Sequence, residues 1–410
     1  MVGSFGNKRS AAARIVLSFS VFVFFFFASS NAAFSAEKER EPLFAVNEGW
    51  GWPVVVVPPP AGWESGDGET IKLAMRAAER EISRRREGIR GREVIFMFAN
   101  PDNAKEIPKR AELWRNMKAA VIVSFGGSEY DDALQRTCAS SGPSVLFSGG
   151  ENLKIINTAT GEPYPFLFAL DLPYYARANA LALGAAAHAP GKRAAVVSDV
   201  LSDKIAKGAR LTESLLKAAG VPVYPIWVSA ARGDRFTQQV GEAEASGAAS
   251  IISWLEGMGT LSLWRMASLN HRGTRIFYAG ERQNILLDAE GLTLVDKNAV
   301  LERNERGKHD IILKLRDMFG QTPTDPVLAA KAYALAKWVI AAYASEADVS
   351  AAGIARALET ARDIPLMDET LFINRRTHRP TIRQYGVLTV RDRKYLLERK
   401  VDVGSSEVTE

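Results

Sequence analysis

Cysteine is nearly missing: Cys138 stands alone in 410 residues, so no intramolecular disulfide holds the chain. Histidine is scarce too. His188, His271, His309 and His378 are scattered, and neither a His-Glu-x-x-His nor a Cys-x-x-Cys occurs, so no metal centre is expected. No glycine-rich turn carries the lysine of a phosphate loop or the three spaced glycines of a dinucleotide site, and no cofactor is implied. Gly-x-Ser-x-Gly is absent, which removes the usual seat of a nucleophilic serine. Low-complexity linkers and short-period repeats are lacking.

What opens the chain is a leader. Lys8, Arg9 and Arg14 precede a 14-residue apolar run, Ile15–Ala28, and the small residues of SSNAAFSA follow, with cleavage expected after Ala32, Ala33 or Ala36. That layout predicts a secretory signal over residues 1–36; the run is short for a membrane span, which needs about 20 residues. No cysteine stands at the end of the run, so a bacterial lipid anchor is not expected, and the periplasm is the expected compartment. Cleavage removes three basic residues and no acid, taking the formal net charge from +5 to +2. Bases and acids are interleaved thereafter, and neither nucleic acid nor an anionic membrane is implied as partner.

The rest alternates apolar runs with amphipathic stretches. Strands are expected at 53–57, 94–98, 121–123, 144–147, 194–198, 223–228, 250–254 and 275–278. Helices are expected between them, at 71–86, 105–118, 131–140, 174–188, 205–219, 236–246 and 259–270. Such alternation predicts parallel sheets covered by helices on both faces. The last third turns helical, at 308–319, 326–344 and 350–360, before short strands near 370–373 and 385–389 and a tail over 401–410. Two successive βα series predict two lobes, with the first break in the proline-bounded stretch 166–173.

Two strand ends share a Gly-Gly turn: VIVSFGGSEYDD at 121–132 and VLFSGGEN at 145–152. Ligands of open parallel sheets sit beyond the carboxyl ends of strands. A glycine turn there lets backbone N–H groups approach an anion, and the next helix adds its positive end. The plainer reading is that glycine only permits tight turns.

The order of segments over about 54–397 resembles the type I periplasmic solute-binding proteins of ABC transporters, in their branched-chain amino acid and amide branch. PPPAGWESGDGETIKLAM is similar to the family's opening ligand loop and helix. VIVSFGGSEYDDAL and GPSVLFSGGEN are similar to its two carboxylate-binding turns, and PFLFALDLPYYARANALA to the first hinge crossing, with Asp171 at a polar hinge position. DAEGLTLV resembles the return crossing, DPVLAAKAYALAKWVIAAY the late buried helix, and QYGVLTVRDRKYLL the final strand.

The resemblance implies an α/β Venus flytrap: two lobes, each a parallel sheet flanked by helices, joined by three hinge crossings. The implied first lobe is 37–170 with 293–383, and the second 171–292 with 384–400. The implied role is non-enzymatic: a monomer captures an amino acid or related carboxylate or amide for an inner-membrane ABC permease. A sensor of the same fold and, behind it, an exported α/β hydrolase are the alternatives. Carried over residue by residue, the backbone N–H groups of Gly126-Gly127 and Gly149-Gly150 with the Ser128 hydroxyl would hold a ligand carboxylate; Glu151 falls on the same second turn, where a carboxylate facing inward would repel it. Glu281 would face an ammonium group, and Trp254 would cover the side chain. Trp63 and Ser65 occupy the first loop, where the family often has tyrosine; a tryptophan in that glycine-rich loop is expected to line the cleft rather than join the core. Glu151 departs from the family's threonine, and Ser202-Asp203-Lys204 from a common tyrosine and glycine.

Overall fold

Val54, Val55, Val56 and Val57 have no exposed surface, because their strand β1 (Gly51–Val57) is covered on both faces and paired on both edges. The computed structural model describes residues 51–403 except 84–87, 150–152, 172–173, 230–235, 271–273, 368 and 381–383. The expected leader thus lies outside the described residues. Pro53 is tolerated in this central strand because the β1–β3 ladder begins only at Val54↔Val121.

The first sheet is parallel, in the order β2-β1-β3-β4-β5. Its other strands are β2 (Glu93–Phe98), β3 (Val121–Ser124), β4 (Ser144–Phe147) and β5 (Leu167–Ala169). Helices α1 (Gly66–Ser83), α2 (Ile107–Asn116) and α3 (Ser128–Cys138) connect them. Ile71, Ala74, Met75, Ala78 and Ile82 recur on one face of α1 and are buried, as the sequence period demands.

The second sheet runs β16-β15-β10-β9-β8-β6-β7. Its parallel part is β6 (Arg193–Asp199), β7 (Val223–Val228), β8 (Ala248–Ser253), β9 (Arg275–Tyr278) and β10 (Thr293–Asp296). Its helices are α4 (Tyr174–His188), α5 (Asp203–Ala218), α6 (Thr237–Ala245) and α7 (Gly257–Asn270). After α8 (Asn298–Glu302), α9 (Glu305–Phe319), α10 (Pro326–Ser345) and α11 (Ala351–Thr360) come two small hairpins, β11–β12 (364–366 and 369–371) and β13–β14 (373–374 and 379–380). The chain then returns to the second sheet as the antiparallel pair β15 (Gln384–Arg391) and β16 (Lys394–Asp402).

Three details depart from the sequence reading. β10 is hydrogen-bonded to both β9 and β15, so residues 293–296 belong to the second sheet and the return crossing follows them. β16 reaches Asp402, two residues into the expected tail, because its backbone is paired along its length. β5 forms within the stretch expected to be a break, held by its ladder to β4.

Helix α10 fixes the first core. Asp325 caps it by accepting from Val327 and Leu328 N–H at 2.8 and 3.1 Å, and Pro326 fills the first turn, where no N–H is needed. By length and apolarity it would pass for a membrane span, yet most of it is buried. It packs with α1, α9, α11 and the first sheet, and Trp338 Nε1 donates to the Leu358 carbonyl at 3.0 Å. The second sheet has separate apolar clusters, one gathering α6 and α7, the other α4 and α5.

Candidate functional site

The carboxyl ends of β1, β3 and β4 are neighbours, so the loops that follow them form one continuous edge. Gly127 lies against Pro60: a Cβ there would stand 3.3 Å from the proline ring. Gly126 is sterically required, since a Cβ would come within 2.7 Å of Tyr130 Cβ. Gly127 is the N-cap of α3, which leaves the N–H groups of the first turn, beginning at Ser128, without helical partners. Ser128 is exposed there. The edge therefore has the donors that an anion needs.

Beneath this turn lies a buried acid that the sequence reading missed. Asp131 Oδ1 accepts from Ser124 Oγ at 2.7 Å, and Ser124 Oγ in turn accepts from Gly126 N–H at 3.2 Å. Burial pushes the Asp131 carboxyl up to about 7; the Ser124 hydrogen bond opposes this, and Asp132 adds to it.

Other sequence-predicted residues serve the fold. Trp63 is 8% exposed and lies in the first core, correcting the expectation that it stands outside it. Its Nε1 donates to the Ala99 carbonyl at 2.6 Å, and its ring meets Phe98 edge-on at 5.1 Å. Ser65 accepts from Gly68 N–H at 3.0 Å and donates to the Gly62 carbonyl at 2.7 Å, so its hydroxyl caps α1. Trp254 is 3% exposed within the second lobe, where Nε1 donates to Thr212 Oγ1 of α5 at 3.1 Å. Glu281 follows β9 with its side chain 78% exposed and the Arg177 guanidinium at 3.6 Å; Arg177 also donates to the Ala279 carbonyl at 3.2 Å. Gly150 and Glu151 lie outside the described residues.

Gly149 leads to the joint between the sheets. A Cβ on it would stand 3.9 Å from Asp171 Oδ2. Asp171, just after β5, receives Lys297 Nζ on that same oxygen and Lys331 Nζ on Oδ1 at 3.3 Å. Lys297 follows β10, and Lys331 lies on α10. Buried Arg379 donates to the Asp171 carbonyl at 2.7 Å and to the Leu153 carbonyl at 3.2 Å. Burial pushes the Asp171 carboxyl up, but Lys331 and Lys297 outweigh it and hold it below its ordinary value. The carboxyl edges of the two sheets thus meet at one carboxylate. Lysines 297 and 331 carried a signal in the sequence: one directly follows a buried strand, the other interrupts an apolar helix.

The second sheet's edge exposes apolar side chains beside the acids Asp203, Glu256 and Glu281. Val200 and Leu201 follow β6, and Met258 opens α7 after β8; Leu201 is 65% and Met258 60% exposed. Among the described residues no histidine is hydrogen-bonded to a serine hydroxyl. His378 is buried on Phe168 and faces the Leu167 carbonyl, and Ser124 is bonded to Asp131.

Residues 53–394 match the family of periplasmic binding proteins. No curated protein matches the chain. Among solved structures, a substrate-binding protein of an ABC transporter from Desulfitobacterium hafniense, in complex with Leu, is 16% identical (TM-score 0.63; 85% of this chain and 99% of that one). A leucine-binding protein from Thermotoga maritima is also 16% identical (TM-score 0.58; 86% and 99%). A solute-binding protein of an ABC transporter from R. palustris, in complex with benzoate, is 14% identical (TM-score 0.54; 85% and 96%). At such identities the likeness is one of fold, and it is the match across 53–394 that assigns the lineage: the chain belongs to the periplasmic binding protein family.

Proposed function

We propose that the protein is the extracytoplasmic solute-binding subunit of an ABC importer. It captures an amino acid or related small carboxylate or amide between two lobes, closes over it, and delivers it to an inner-membrane permease without covalent chemistry. Residues 1–36 act as the export signal. The first lobe comprises 37–170 with the stretch from α8 to 383, and the second 171–296 with 384–402.

The observation that carries this reading is the meeting of the two carboxyl edges beside the Gly149 turn, since ligands of parallel α/β sheets bind beyond those ends. The bound Leu and benzoate of the similar structures support a small carboxylate as the class. A crossing built on a few residues suits hinge closure around a ligand. A thermal-shift screen of amino acids, amides and small carboxylates tests it: a solute that binds only the folded chain raises Tm with its concentration. Silence across the whole screen would refute the reading.

A further inference from the structure

Lys297 and Lys331 bring two ammonium groups to one carboxylate. Among the described residues their ion pairs are with Asp171 alone. Both lysines are largely withdrawn from water, with side chains 19% and 13% exposed. A half-buried surplus of positive charge favours an anion beside it. The Gly149 turn lies beside the same Asp171 oxygen that Lys297 contacts: a Cβ there would sit in ordinary van der Waals contact with it at 3.9 Å.

The apolar residues lie along the same edge. β10, β9, β8 and β6 are consecutive, parallel neighbours, so Lys297, Met258 and Val200-Leu201 follow the same ends of strands in one sheet. Strands are spaced by ~4.8 Å. The ends of β8 and β6, which lead to Met258 and to Val200-Leu201, therefore stand ~10 and ~14 Å along the edge from the end of β10. A cation at one end and exposed aliphatic groups at the other match a short apolar carboxylate.

We infer that the ligand's carboxylate is anchored at the hinge by Lys297 and Lys331 beside Gly149, rather than chiefly by the Ser128 turn, and that its apolar body lies along Met258, Val200 and Leu201. This rests on the solute-binding reading above. It selects carboxylates and excludes the matching amides, which bring no charge to the lysine pair.

Calorimetry on the unaltered protein with 4-methylpentanoate, 4-methylpentanamide, L-leucine and L-leucinamide tests the selection. The better carboxylate should bind at least ~10-fold more tightly than its amide. Lys297→Gln and Lys331→Gln should each weaken that carboxylate at least ~10-fold, and Leu201→Ser ~3-fold or more. Equal binding of acid and amide, or lysine variants within twofold of the parent, overturns the inference and leaves the solute-binding reading intact. No binding by any of the four also overturns it; the reading itself falls only if the wider solute screen is silent. If a lysine variant fails to fold, the acid–amide comparison on the unaltered protein still decides.

Discussion

The two sheet edges that meet at Asp171 differ in what they offer. The first offers glycine turns, hydroxyls and backbone N–H groups over a buried acid; the second exposes Val200, Leu201 and Met258. Both lie at the carboxyl ends of parallel strands, so topology alone did not make the difference. A parallel sheet supplies the place for a ligand, and loop residues supply the chemistry. The first edge presents polar donors, and the second sets exposed apolar groups beside the acids Glu256 and Glu281. The joint, with its lysines, belongs to both.

Breaking the joint should have the largest effect. Asp171→Asn leaves Lys297 and Lys331 without their carboxylate and should cost ~3–5 kcal/mol in urea unfolding. A loss below ~1 kcal/mol would mean that the joint does not couple the lobes. Trp254→Ala should cost a similar ~3–5 kcal/mol, by opening a cavity in the second lobe and depriving Thr212 of its donor. Trp254→Phe should keep solute affinity within threefold; a larger change would return Trp254 to the binding wall.

The buried acid sharpens the contrast through pH. Asp131 has its carboxyl raised from 3.8 to about 7, so the folded state favours its protonated form. The stability it contributes is intact below pH ~4 and is lost as pH rises through about 7. Asp131→Asn should flatten that slope and stabilise the protein by ~2–4 kcal/mol at pH 8, at ~1.4 kcal/mol per pKa unit. Melting curves at pH 5 and 8 check this, and an unchanged slope would reject it. The smallest effects separate two serines of the first edge. Ser65→Ala should cost ~1 kcal/mol through the lost cap, whereas exposed Ser128→Ala should change stability by less than ~0.5 kcal/mol. Equal losses would show that both hydroxyls serve the fold.

Periodicity carried most of the architecture. Val223–Val228 forms as a strand over the expected residues, and α4 spans the expected 174–188. β16 escaped because Lys394, Glu398, Lys400 and Asp402 are exposed on one side of an edge strand whose inward positions are only half buried. Edge strands need little apolar surface, and their pattern resembles a polar tail. The site was harder to read. Trp63 in a loop and Trp254 at a strand end suggested a ligand wall, but each gives a large ring to a core and an N–H to a partner there. Asp131 lay within a quoted motif, yet only the tertiary fold shows that it turns inward onto Ser124. The joint draws on Asp171, Lys297, Lys331 and Arg379, distant in sequence, and no local spacing announces such a group.

Helix α10 has one more consequence, which concerns the journey before folding. If the chain crosses a membrane unfolded, as the proposed role implies, it presents Pro326–Ser345 to lipid, a helix with an 18-residue stretch whose mean hydropathy is 1.3. Lys331 and Lys337 interrupt that stretch, and a lysine near the middle of an inserting helix costs ~2.5–3.5 kcal/mol. In the finished protein Lys331 pairs with Asp171 and Lys337 with Glu81. The same two charges that fasten the helix to its neighbours would thus keep it from lodging in the bilayer on the way out.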